Sequence, residues 1–242
     1  MLRLLLMLLA ITGSAQAAGA DEGAPGRAAS TDSGEAAKPS SGAKSEKRLA
    51  MHRGKHKGRM LGWPVPEKAL LAAPAPQPSG DLRIYSINYK DEADVNIFNA
   101  DGSFDVKALA EINHIFKCRR SGLEHDIDTR LVTILSHIYD HFGGKRIELL
   151  SGYRFQRRTT SNHFHGTAAD IRIPGVNPRK IRSYAESLDA GGMGVGWYPR
   201  VGFVHVDVRP PPSYRWIDYS RSNPDDRGRQ LPRGFKRSDP ES

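Results

Sequence analysis

Ser161-Asn162-His163-Phe164-His165-Gly166-Thr167-Ala168-Ala169-Asp170-Ile171-Arg172-Ile173, followed further on by Phe203-Val204-His205-Val206-Asp207-Val208, is the stretch on which the reading of this chain turns. From Ala168 onward the first segment alternates. Ala168, Asp170 and Arg172 fall on one side of a strand and Ala169, Ile171 and Ile173 on the other. The second segment alternates in the same sense, with three valines inward and Phe203, His205 and Asp207 together on the opposite side. If the two strands are neighbours, Asp170 and His205 converge. Gly166 lets the chain turn tightly enough to bring His163 to the same point. Two imidazoles and one carboxylate form a donor set that suits a mononuclear zinc site, one ion per chain, with a fourth position open.

The remainder of the chain sets the context. Met1-Leu2-Arg3, an apolar run from Leu4 to Ile11 and the small residues Ala15-Gln16-Ala17 read as a signal peptide over 1–17, so a secreted, periplasmic protein is expected. That run is too short to span a bilayer, and no later stretch is long enough, so no membrane span is expected after cleavage. Cys118 is the single cysteine, which rules out an intramolecular disulfide. Residues 18–80 are rich in Ala, Gly, Ser, Pro and Lys and read as a disordered basic tether. Its cluster from Lys44 to Arg59, within a chain of net charge +9, suits attraction to anionic envelope polymers. No nucleic acid is expected, because charge alone supports it and no recognisable module accompanies it. Residues 223–242 read as a flexible basic tail, which leaves 81–222 as one domain.

Within that domain the pattern is α+β. Leu82, Ile84 and Ser86, then Val95 to Phe98 before Asp101-Gly102, predict an entrance hairpin. Asp105 caps a helix whose Val106, Leu109, Ile112, Ile115 and Phe116 recur at helical spacing. Asp128 starts a second helix with Leu131, Ile134, Leu135, Ile138 and Phe142 on one stripe, stopping at Gly143-Gly144. His137 and His141 lie on that helix four apart, but no glutamate stands between them, and they read as surface or packing residues. Arg146 to Leu150 predicts a core strand delivering Ser151-Gly152-Tyr153-Arg154, and Asn177-Pro178 opens a third helix running to Leu188. Gly191, Gly192, Gly194 and Gly196 read as turn and strand glycines. Arg154, at a strand end beside the three donors, is placed to hold a substrate carboxylate or an oxyanion.

The pattern Ser-x-His-x-x-Gly-x-Ala-x-Asp, then an apolar strand bearing His205, resembles the zinc peptidases of bacterial cell-wall peptides. That group includes D-alanyl-D-alanine carboxypeptidases, lysostaphin-like enzymes and the hedgehog signalling domain, and within it the chain resembles the murein endopeptidase K-like branch. The resemblance covers about residues 82–216, through Leu82-Arg83-Ile84-Tyr85, Ala110-Glu111-Ile112-Asn113-His114, Ser151-Gly152-Tyr153-Arg154, Gly194-Val195-Gly196-Trp197-Tyr198 and Phe203-Val204-His205-Val206-Asp207. It implies a hedgehog/D-Ala-D-Ala peptidase-like domain, an antiparallel sheet carrying the zinc site packed on helices, and hydrolysis of peptide cross-links of peptidoglycan. The implied partners are peptidoglycan peptide stems. Arg154, Tyr153 and Ser161 would contact substrate, and His163, Asp170 and His205 would hold the metal.

The general base departs from the family pattern. Related peptidases place an acid or histidine two or three residues before the last ligand, where this chain has Phe203 and Gly202. Asp207, on the face of His205, and His165, two residues past His163, are the two candidates. A zinc-containing wall-binding protein that is inactive alone or activated by a partner is the alternative. A serine hydrolase built on Ser161 with His163 or His165 and Asp170 fits by residue type, yet the chain has no Gly-x-Ser-x-Gly elbow.

Overall fold

A computed structural model describes residues 60–221; the expected signal peptide, the basic cluster up to Arg59 and the C-terminal tail lie outside the described residues. Eight strands form one sheet: β1 (Met60–Pro64), β2 (Asp81–Ser86), β3 (Asp91–Asn96), β4 (Ile147–Ser151), β5 (Ala168–Arg172), β6 (Met193–Tyr198), β7 (Phe203–Val208) and β8 (Tyr214–Asp218). Their spatial order is β1-β8-β6-β7-β5-β4-β2-β3. Among the described residues three α-helices, α1 (Val106–Ile115), α2 (Thr129–His141) and α3 (Pro178–Ser187), complete the α+β architecture.

The helices begin where short polar side chains satisfy their first free N–H groups. Asp105 accepts from Lys107 and Ala108, Asp128 from Arg130, and Asn177 from Arg179. Gly143 and Gly144, both at positive φ, terminate α2. Ile112, Leu131, Leu135 and Ile138 are fully buried against Leu82, Ile84, Ile147, Ile171, Val204 and Val206, which places the main core between the helices and one sheet face. Val106 departs from the expected stripe and is 79% exposed, because it sits in the first turn of α1, before the helix reaches the sheet.

Three further expectations change. The second hairpin strand runs Asp91–Asn96, earlier than Val95–Phe98, since Glu92 and Asp94 on its outer side pair with Arg83 across the ladder. The sheet is mixed, with β2 parallel to β4 and β6 parallel to β8; α1 and α2 lie in the crossover between β2 and β4. Residues 60–80, assigned by composition to the tether, contain β1, which extends the sheet by pairing antiparallel with β8.

Candidate metal centre

β5 and β7 are antiparallel neighbours, and Asp170 stands directly opposite His205 in their register. Ala169, Ile171, Val204, Val206 and Val208 enter the main core, so Asp170, His205 and Asp207 emerge on the other face. His163 arrives from the β4–β5 connection, in a short 3-10 helix, Asn162–His165. Gly166 ends that helix at φ 68°, and a Cβ there would overlap the Asp126 carbonyl oxygen, so the turn requires glycine. The Arg154 N–H donates to the His163 carbonyl at 3.0 Å and ties the two arms of the connection together.

Three donor atoms converge. His205 Nδ1 lies 2.8 Å from Asp170 Oδ1, His163 Nε2 lies 3.2 Å from His205 Nδ1, and His163 Nε2 lies 3.5 Å from Asp170 Oδ1. Ligand atoms about 2.0–2.1 Å from a tetrahedral zinc are roughly 3.3 Å apart, so this triangle has the dimensions of three of its four corners. All three side chains are buried, and among the described residues this is the single group of three or more such donors. The residues therefore fit a metal ion in both donor chemistry and spacing.

Both imidazoles are fixed through their second nitrogen. His163 Nδ1 donates to the Gly152 carbonyl at 2.7 Å, which turns Nε2 inward. His205 Nε2 donates to Asp207 Oδ2 at 2.9 Å, which turns Nδ1 toward Asp170. Asp207 is fully buried and is clamped in turn by Arg209, whose Nε donates to Oδ1 at 2.6 Å and whose Nη2 donates to Oδ2. Gly194 leaves space for this pair, since a Cβ there would strike both side chains. Trp216 packs 5.0 Å from the His205 ring, donates its N–H to the Tyr198 hydroxyl at 3.0 Å, and occupies the space left by Gly196.

The electrostatics without metal follow from these contacts. Burial opposes charge on His205, but the hydrogen bonds and charges of Asp170 and Asp207 outweigh it and raise its pKa to about 9. Burial, with the nearby Arg154 charge, pushes His163 down and keeps it neutral. Burial would favour neutral carboxyls at Asp170 and Asp207. The two histidines hold Asp170 well below the usual carboxylate range, and His205 with Arg209 does the same for Asp207.

The other expected site residues are placed as follows. Arg154 is largely buried with Nη2 3.5 Å from Asp170 Oδ2, so it adjoins the cluster. Tyr153 is buried and stacks on His125 at 4.8 Å, and burial raises its pKa. Ser161 precedes the 3-10 helix without capping it through its hydroxyl. His165 is exposed, with its ring edge against Phe164, and among the described residues no hydrogen bond joins it to the three donors. His137 is half-buried and His141 stacks on Tyr184 at 3.6 Å, away from the cluster as expected. Arg209, Trp216 and the Gly152 carbonyl were not anticipated. Arg209 was within reach of the alternation that picked out Asp207, two residues before it, whereas a backbone carbonyl leaves no mark on residue type.

The model of the family described as peptidoglycan L,D-endopeptidase MepK matches residues 75–214. The Escherichia coli protein of that name is 31% identical over 160 residues, covering 61% of this chain and 85% of that protein. A Haemophilus influenzae relative, "Probable peptidoglycan L,D-endopeptidase MepK", is 30% identical over 167 residues, covering 63% and 88%. No solved structure matches the chain. With more than half of its length aligned to that family model and the donor triangle inside the aligned region, the chain belongs to the peptidoglycan L,D-endopeptidase MepK family.

Proposed function

We propose that this chain is an exported zinc-dependent endopeptidase that hydrolyses peptide cross-links of peptidoglycan, with the L,D specificity named in its relatives. The observation that carries the reading is the triangle of His163 Nε2, Asp170 Oδ1 and His205 Nδ1, in which each histidine is oriented from behind. His163, Asp170 and His205 would hold the ion. Zinc, when bound, supplies Lewis acidity toward a scissile carbonyl and toward water. Export is supported by the Met1–Ala17 pattern and fits the absence, among the described residues, of a helix long and apolar enough to cross a membrane. A hedgehog/D-Ala-D-Ala peptidase-like fold is consistent with the mixed sheet carrying the donors on the face opposite α1, α2 and α3.

Each protein group then has a task. Gly152 and Asp207 hold the imidazoles with one nitrogen bare and facing Asp170. Asp207 has both oxygens engaged and a carboxyl that stays ionised, so it orients His205 and does not collect the proton of the attacking water. His165, exposed in the helix that carries His163, is left as the proton acceptor. Arg154, beside Asp170, presents a guanidinium to the oxyanion or to a substrate carboxylate, and Tyr153 and Ser161 are the further substrate contacts expected from the family resemblance.

Digestion of purified cross-linked peptidoglycan by the mature chain, with zinc and with chelator, tests this directly. The expected result is zinc-dependent loss of one cross-linked muropeptide, read by mass. Intact wall in the presence of bound zinc would replace the hydrolase with the non-catalytic or partner-activated wall-binding reading.

A further inference from the structure

Asp207, the carboxylate behind His205, stands in a slot shaped by small residues. Its cross-strand neighbours are Ala168 on β5 and Gly194 on β6, so one side is narrow and the other carries no side chain. Arg209 fills the open side. A Cβ at Gly194 would overlap both the Arg209 guanidinium and the Asp207 carboxylate, so the pair lies directly over the β6 backbone.

Arg209 reaches this place by a fixed route. Its backbone N–H donates to the Gly192 carbonyl at 2.9 Å, and Gly192, at φ 75°, lies so close to the Arg209 carbonyl that a Cβ would overlap it. The chain leaving β7 is thereby held against the turn entering β6, and the Arg209 side chain reaches back along β7. Its guanidinium carbon lies 5.6 Å from the centre of the Trp216 ring, a cation–π contact that restrains the group. Nε and Nη2 then meet the two oxygens of Asp207 as a fork, with Nε 2.6 Å from Oδ1. Asp207 Oδ2 accepts from Arg209 Nη2 and from His205 Nε2 together, so the fork sets how that oxygen faces the imidazole.

We propose that Arg209 is a positioning residue of the metal centre: acting through Asp207, it fixes the His205 ring with Nδ1 turned toward Asp170 and His163. The proposal deepens the endopeptidase reading above and rests on its donor triangle. Without the fork, Asp207 keeps one donor among the described residues, His205, where it now has three. A buried carboxylate so poorly satisfied rotates or draws in water, and either loosens the bond that orients the ring. Lysine does not replace arginine here, because an ammonium carries the charge without the fork or the plane.

Zinc affinity of the mature chain against a competing chelator tests this, for the wild type, Arg209→Gln, Arg209→Lys, Asp207→Asn and the Asp207→Asn/Arg209→Gln double variant. Arg209→Gln is expected to bind zinc about tenfold more weakly, with Arg209→Lys close to it. In the Asp207→Asn background, losing Arg209 is expected to change affinity by less than about twofold, because the path is already broken. Wild-type affinity in a folded Arg209→Gln chain overturns the proposal. So does the full loss recurring in the double variant, which would mark a general loosening of the sheet, and so does complete rescue by lysine. If the glutamine variant fails to fold, the lifetime of the His205 Nε2 proton against exchange with water, read by NMR in the metal-free wild type and Arg209→Lys chains, decides. It is expected to shorten about tenfold in the lysine variant, and equal lifetimes overturn the role of Arg209. Cleavage is scored separately: affinities that depend on Arg209 in a chain that cuts no cross-link would sink the endopeptidase reading and leave the positioning role standing.

Discussion

His205 is held from both sides, by Asp170 at one nitrogen and by Asp207 at the other, and its orientation depends on a carboxylate that is itself clamped by Arg209. Asp207→Asn would preserve shape while weakening the orienting bond, and zinc affinity measured against a competing chelator is expected to fall about 10- to 100-fold. An unchanged affinity would remove Asp207 from the metal site's support. His165→Ala separates the two base candidates: zinc content stays at one per chain while kcat drops roughly 10²-fold or more. A wild-type rate would return the proton to another group. At this scale the sequence was informative wherever a side chain carries the role, since alternation alone grouped Asp170 and Arg172, and His205 with Asp207, on their faces. It was silent about Gly152, whose contribution is a carbonyl, and it left His165 and Asp207 as alternatives, since the neighbours of each depend on how the chain folds around them.

The elements show the limits of local pattern. The helices were legible because cap, stripe and terminating glycine agree within each one. β1 was not, because Met60-Leu61-Gly62-Trp63-Pro64 is five residues ending in proline and gains strand character only from its partner β8. A chain starting at residue 81 lacks β1 and should melt lower than one starting at residue 60, by about 1–3 kcal/mol or roughly 3–10 °C by thermal unfolding, and an unchanged melt would make β1 dispensable. In the neighbouring strands, Gly196→Ala puts a methyl into the Trp216 indole and is expected to cost about 1–3 kcal/mol, with a further loss of zinc affinity because Trp216 packs on His205. The parallel pairings β2/β4 and β6/β8 could not be read from alternation, which gives a strand's faces but not its neighbour's direction.

Across the whole molecule, buried charge makes stability depend on pH in opposite senses. The pKa of His205 is raised to about 9 in the metal-free protein, so its stabilising contribution is complete below about 6.5 and is lost as pH rises through 9. His163 is lowered, so its contribution is present above about 6.5 and is lost as pH falls through its folded pKa; Asp170 and Asp207, also lowered, add a loss in acid below the usual carboxylate range. The metal-free chain should accordingly melt highest near pH 6.5. Zinc bound as proposed would take the place of the His205 proton, and its addition should release about one proton near neutrality and flatten the alkaline limb. Constant melting temperature from pH 6.5 to 9 in chelator would contradict this arrangement. Asp170 and His205 are cross-strand partners at the centre of the sheet, and a one-residue slip of β5 against β7 would send one of them to the helix-covered face. Retention of the proposed zinc would thus be a proofreading mark for strand alignment: refolded molecules that elute without zinc should be enriched in misaligned sheets.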